Sequence, residues 1–194
     1  IVFGDWSSDV CSSDLVTLGP GPMIVGPLRV VKHPGSAIRI GRGFRAVSSP
    51  RRYPFGVYSQ GKIRTLSPHS VIEIGDDVVL NATTVLCRNG RVSIGAGTWV
   101  GANCQVTNND GHSIWPPETR WTDMGEELDR DVVIGSRVWI GINCIILKGV
   151  TIGDNTVVAA GSVVSRSLPA NCMAGGVPAR LIRTFEPTTA QGQA

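Results

Sequence analysis

The chain is 194 residues long, 42% hydrophobic and 17% charged, with a formal net charge of +3. That length and composition fit one packed globular domain and argue against disorder. The charge is mild and no Lys/Arg run goes beyond Arg51-Arg52, which gives no case for nucleic acid or an anionic membrane, and no apolar stretch approaches the roughly 18 residues that span a bilayer.

Residues 1–15 stand apart. The run Asp5-Trp6-Ser7-Ser8-Asp9-Val10-Cys11-Ser12-Ser13-Asp14-Leu15 has neither the basic start nor the apolar centre of a signal peptide. It matches one reading frame of a widely used sequencing adapter and is read as translated adapter. Trp6 and Cys11 are therefore left out of the functional reading. Residues 16–69 are expected to be irregular β structure with weak repeats, among them Ile40-Gly41. The five cysteines have no regular spacing and suit reduced thiols rather than a disulfide framework.

From Ile74 onward aliphatic residues recur every sixth position: Ile74, Leu80 and Leu86, then Ile94, Val100 and Val106, then Ile134, Ile140, Ile146, Ile152, Val158 and Val164. Gly often follows directly, and Asn or Gly stands three places after the aliphatic residue. A period of six is neither the 3.6 of a helix nor a plain alternation. It predicts a short strand, then a sharp corner that Gly, Asn and Asp tolerate, repeated. Three such sides give an 18-residue triangular coil, and stacked coils bury a nearly one-dimensional core. Cys104 and Cys144 fall in small inward columns and read as core.

The repeat breaks twice, near Arg88-Asn89-Gly90-Arg91 and over an excursion at 113–131. Departures from a strict repeat often sit at function, because the repeat itself needs only packing. His112 stands where the next inward aliphatic residue was due, at the start of that excursion. Imidazole, with an ordinary pKa of about 6.5, is the natural base near neutrality. A structural histidine that hydrogen-bonds the excursion is the alternative. His33 and His69 lie outside the clear repeats, where surface or turn roles are expected. Asp110 could orient His112 as carboxylates do in triads, or simply serve a corner turn.

Several stretches carry a resemblance: Val133-Ile134-Gly135-Ser136-Arg137-Val138-Trp139-Ile140-Gly141, Leu147-Lys148-Gly149-Val150-Thr151-Ile152-Gly153-Asp154-Asn155, Ala160-Gly161-Ser162-Val163-Val164 and Gly176-Val177-Pro178-Ala179-Arg180. They resemble the hexapeptide-repeat acyltransferases, and most of all the sugar and polysaccharide O-acetyltransferase branch. The resemblance covers about residues 70–183, with a tail at 184–194. It implies an all-β fold, a left-handed parallel β-helix with a protruding loop. It also implies acetyl transfer from acetyl-CoA to a hydroxyl of a sugar or surface polysaccharide, without an acyl-enzyme and without a metal.

Residue by residue, the resemblance makes His112 the catalytic base. It sets Asn81 near the acetyl group, Asn89 at the acceptor sugar, and Trp139 beside the cofactor cleft. The amides around Ala160 and Gly161 match contacts to the pantetheine arm, Ser165-Arg166 a pair near the nucleotide, and Arg180 and Arg183 a basic end for phosphate. Trp115 and Trp121, on the excursion, are expected to shape the acceptor pocket. The segment Asp110-Gly111-His112-Ser113 departs from the galactoside enzymes, which leaves the acceptor open. The family is typically trimeric, with sites between subunits, and a homotrimer in the cytoplasm is expected.

Three rivals remain. A serine acetyltransferase shares the closing motifs but differs around His112. A γ-type carbonic anhydrase shares the coil, but its zinc needs three histidines, and no second one lies near His112. A non-catalytic coil would not explain His112 or the arginines at the C-terminal end.

Overall fold

In a computed structural model of the protein, residues 16–186 are described, and the adapter reading of residues 1–15 falls outside them. The chain winds coil upon coil. The first coil holds β1 (Val16–Leu18), β2 (Met23–Val25) and β3 (Leu28–Val31). The second holds β4 (Ala37–Ile40), β5 (Arg45–Val47) and β6 (Gly61–Thr65); the third β7 (Ser70–Ile74), β8 (Val79–Leu80) and β9 (Thr84–Cys87). Next come β10 (Gly90–Ile94), β11 (Trp99–Val100) and β12 (Gln105–Thr107), then β13 (Val132–Ile134), β14 (Trp139–Ile140) and β15 (Ile145–Ile146). The sixth coil is β16 (Thr151–Ile152), β17 (Val157–Val158) and β18 (Val163–Val164). A hairpin of β19 (Cys172–Gly176) and β20 (Ala179–Thr184) ends the fold.

Every third strand joins the same sheet. The first sheet is β1-β4-β7-β10-β13-β16, the second β2-β5-β8-β11-β14-β17-β19-β20, and the third runs from β3 to β18. All pairings are parallel except β19 with β20. The molecule is thus a three-sided solenoid. Where the coil is regular, contacts link residues eighteen apart, as from Ser136 N to Asp154 Oδ1.

The core is a set of stacked aliphatic columns. On the first sheet Ile40, Ile74, Ile94, Ile134 and Ile152 lie in register and buried, beside a second column of Ile38, Ile72, Val92 and Val132. Ala46, Leu80, Val100, Ile140 and Val158 stack on the second sheet; Ile63, Val85, Val106, Ile146 and Val164 on the third. Each Val, Leu or Ile side chain among them contributes about 1.5–3 kcal/mol by leaving water.

One expected core residue is displaced. Val85, not Leu86, points inward, because Val85 pairs with Val106 and is fully buried. The corner after Leu80 is one residue shorter than the repeat, with Ala82 at φ 44. Correspondingly Thr83, not Thr84, is the buried small residue there, and its hydroxyl donates to Gly101 O at 3.2 Å.

The coil also begins earlier than the sequence reading put it. Strands β1 to β6 lie in register with the later coils rather than forming irregular structure. The count of six is hidden there because Phe44 and Ala46 take inward places and residues 48–60 interrupt the coil.

Glycine serves two purposes. Gly95 and Gly141 have ordinary φ, but a Cβ on either would come within 2.5 Å and 2.6 Å of the next coil's backbone. Close coil stacking, not backbone freedom, selects them. The left-handed conformation falls two residues further on, at Gly97, Asn103, Arg137, Asn143, Asn155 and Gly161. Among the described residues no helix is long and apolar enough to cross a membrane.

Candidate active site

The excursion leaves the coil after β12 and returns at β13. It contains two single 3-10 turns, Pro117–Thr119 and Glu126–Leu128. Its base is closed by backbone bonds from Arg130 N to Asn108 O at 3.0 Å and from Ser113 N to Asp123 O at 2.9 Å. Asn108, fully buried, cross-links this base to the coil below, accepting from Arg88 N and donating to Asn89 O.

His112 stands at this base, exposed, on the edge between the third and first sheets. Its Nδ1 lies 3.1 Å from Ser113 O. A carbonyl only accepts, so that bond requires the proton on Nδ1 and leaves the lone pair on Nε2. Among the described residues Nε2 has no hydrogen-bond partner. Asp110 makes no hydrogen bond to the ring among the described residues: its carboxylate is paired with Lys148 Nζ, contributed by the next coil. Asn89 shares the edge, at φ 29, and its amide donates to Glu126 Oε2 at 3.1 Å while its oxygen accepts from Ser67 Oγ at 2.7 Å. Ser165 and Arg166 are exposed on the same edge, two turns of the coil later. Trp115 and Trp121 lie exposed on the excursion.

The other candidates sit elsewhere on the prism. Asn81 is at the edge between the second and third sheets, its amide donating to Val100 O at 3.1 Å. Ala160 and Gly161 are on that edge too. Gly161 N donates to Ile142 O at 2.8 Å, so this amide is already used by the coil. Ala160 is an exposed residue, and its amide has no acceptor among the described residues. Trp139 projects from the outer face of the second sheet, in register with an equally exposed Trp99. Arg180 and Arg183 are exposed on β20 of that sheet, and the Arg183 guanidinium lies 5.1 Å from the Phe185 ring centroid. Within one chain, then, the structure gathers His112, Asn89, Asp110, Ser165 and Arg166 on one edge, and sets Asn81, Trp139, Ala160 and the β20 arginines apart from them.

Two features escaped the sequence reading. Residues 48–60 fold across the Asn81 edge: Tyr58 OH donates to Asn143 Oδ1 at 2.7 Å, and Asn103 Nδ2 donates to Gly56 O at 2.7 Å. Burial on this edge raises the Tyr53 phenol above its ordinary pKa. The second is Arg88, at the smaller break of the repeat, whose buried guanidinium pairs with Asp129 at 2.8 Å. A charged residue at a repeat break was the only signal for it.

The four described thiols lie in the core. Cys87, Cys104, Cys144 and Cys172 are free and buried, and burial pushes Cys87 up to about 11. A shallow surface hollow lies elsewhere, on the outer face of the first sheet between Arg39, Glu73, Asp76 and Ser93. Its walls are ion-paired strands, and no candidate residue lines it.

A three-sided parallel coil, interrupted by one long loop with an exposed histidine at its base, defines the class of protein. Residues 131–166 match the bacterial transferase hexapeptide family, described as six repeats. The chain is 50% identical over 124 residues to a putative colanic acid biosynthesis acetyltransferase, WcaF, of Escherichia coli K12, covering 57% of this chain and 68% of that protein. It is 37% identical over 114 residues to the galactoside O-acetyltransferase of the same organism, covering 59% of this chain and 54% of that one. Among solved structures, a hexapeptide-repeat acetyltransferase from Vibrio cholerae complexed with acetyl-CoA is similar with a TM-score of 0.55 and 27% identity, over 75% of this chain and 72% of that one. The chain belongs to the hexapeptide-repeat transferases, whose solenoid is the left-handed β-helix. It spans little more than half the length of the galactoside enzyme.

Proposed function

We propose that this protein is an acetyl-CoA-dependent O-acetyltransferase that acylates a hydroxyl of a sugar or surface polysaccharide. One observation carries the reading: His112 is exposed at the break in the coil, with Nδ1 tied to Ser113 O and Nε2 free. The names of the relatives support the donor and the acceptor class.

Acetyl-CoA supplies an activated thioester. His112 Nε2 removes the proton of the acceptor hydroxyl as its oxygen bonds to the acetyl carbon. The carbon–sulfur bond breaks, and the His112 imidazolium returns the proton to the leaving thiolate. The ester and the free thiol balance the reaction with no acyl-enzyme. The buried cysteines fit that scheme, since none offers an exposed nucleophile.

The donor's diphosphate would meet Arg180 and Arg183, and its pantetheine arm the free Ala160 amide. Those residues lie on a different face from His112. We infer that one site is made from the His112 edge of one copy and the Asn81–Trp139–Ala160 side of another, as a homotrimer would arrange. Reduced buried thiols suit a cytoplasmic enzyme.

The test is thiol release from acetyl-CoA with a panel of methyl hexosides and surface glycans. Acceptor-dependent release, with an acetyl ester on the sugar, is expected. No release with any hydroxyl acceptor, or acylation of an amine alone, would overturn the reading.

A further inference from the structure

We propose that Arg88 is a positioning residue for His112, holding the ring's segment in place through a buried fork of hydrogen bonds. The proposal rests on the reading of His112 as the base. His112 is an exposed side chain on a loop, and exposed loops are ordinarily mobile. Something must hold its backbone if the ring is to keep one orientation.

Arg88 does so from beneath. Its Nη1 donates to Gly111 O at 3.1 Å, the carbonyl of the peptide that leads into His112. Its Nη2 donates to Gly125 O at 3.3 Å, on the returning arm of the excursion. Nε and Nη2 grip Asp129 Oδ2 and Oδ1 at 2.9 and 2.8 Å. One rigid guanidinium thus ties together the outgoing arm, the returning arm and the coil on which it stands. Gly125 in turn lies against the backbone at the His112–Ser113 peptide, and a Cβ there would come 3.0 Å from His112 C.

The placement needs explaining, because a buried ion pair is poor evidence of a stabilising device. Desolvation often outweighs the attraction, and a packed apolar pair is frequently as stable. Here both side chains are nearly inaccessible, at 6% and 3%. Two apolar residues could seal the excursion equally well. They could not donate to Gly111 O and Gly125 O. Those bonds, directed at the peptide beside the base, are what the arginine adds. Lysine cannot replace it, since one ammonium with three donors lacks the planar fork that reaches four acceptor oxygens on three residues.

The decisive variant is Arg88→Met with Asp129→Leu in the full chain. It removes both charges together, so no buried charge is left unpaired, and folding is expected to survive. Two readouts follow. The first is the 15N spectrum of the histidines near neutral pH, with His112 assigned by its disappearance in His112→Ala. Wild type is expected to show one Nδ1-protonated tautomer for His112, and the double variant a mixture. The second is thiol release with the acceptor found above. There kcat is expected to fall about a hundred-fold, with KM for acetyl-CoA within about two-fold of wild type. A folded double variant with the wild-type tautomer and kcat makes the pair merely structural and overturns the proposal. So does a fall in kcat with the tautomer unchanged. If the double variant fails to fold, Arg88→Lys takes its place, with tautomer mixing expected and an unaltered spectrum overturning the idea. Turnover that survives in His112→Ala would end the reading of the base, yet the tautomer comparison would still decide what Arg88 does.

Discussion

Gly125 lies against the backbone of His112, so close that a Cβ on it would stand 2.9 Å from Ser113 N and 3.0 Å from His112 C. Its φ of 62° is also one that L side chains avoid. Gly125→Ala should cost about 1–2 kcal/mol from the left-handed backbone alone and push the histidine segment outward. The expected outcome is a folded protein with a lower kcat for acetyl transfer. Urea unfolding and turnover, measured on the same preparation, check both halves.

His112→Ala should leave stability within about 0.5 kcal/mol, because the ring is exposed and, among the described residues, bonds only its neighbour's carbonyl. Acetyl transfer should drop roughly 10²–10⁴-fold, the usual worth of a general base. Sedimentation should show the same assembly as wild type. Turnover near the wild-type rate in the folded variant would remove the residue from the mechanism.

Arg180 is exposed, and among the described residues its guanidinium bonds only the carbonyl of Ala179. Arg180→Ala should therefore raise KM for acetyl-CoA about ten-fold, as loss of one charge-assisted phosphate contact would, and leave kcat little changed, since the phosphates lie far from the reacting carbonyl. Steady-state kinetics with varied acetyl-CoA decide it, and an unchanged KM counts against the donor end proposed here.

Ile140 sits in the middle of the second-sheet column, fully buried between Val100 and Val158. Ile140→Ala should destabilise by about 2–5 kcal/mol, the range for a large-to-small change in a rigid core. The same substitution at Leu86, which the repeat places inside but the structure leaves half-exposed, should cost far less. Thermal unfolding of the two variants separates the inward residue from the outward one.

The period of six made most of the coil legible before any coordinates. Each inward column is set by residues that repeat locally, so the pattern survives in one dimension. It failed where the count itself changed. A corner one residue short after Leu80 shifted the inward place to Val85, and residues 48–60 broke the phase of the first coils. The first glycine after each aliphatic residue was legible as a corner signal, but its reason was different: the next coil's backbone occupies the space a Cβ would need.

The sequence by itself determined the three-sided coil, its aliphatic interior and the exposed histidine at its long interruption, because a stacked repeat needs only its neighbours and announces itself through spacing. Only the tertiary structure decided that Asp110 belongs to Lys148, that Arg88 reaches Asp129 across 41 positions, and that Asn81 and Trp139 face away from His112. The physical reason is that an excursion of arbitrary length carries no period. Which of its charges ends up buried beside which coil depends on how the loop folds back, and no local spacing records that path.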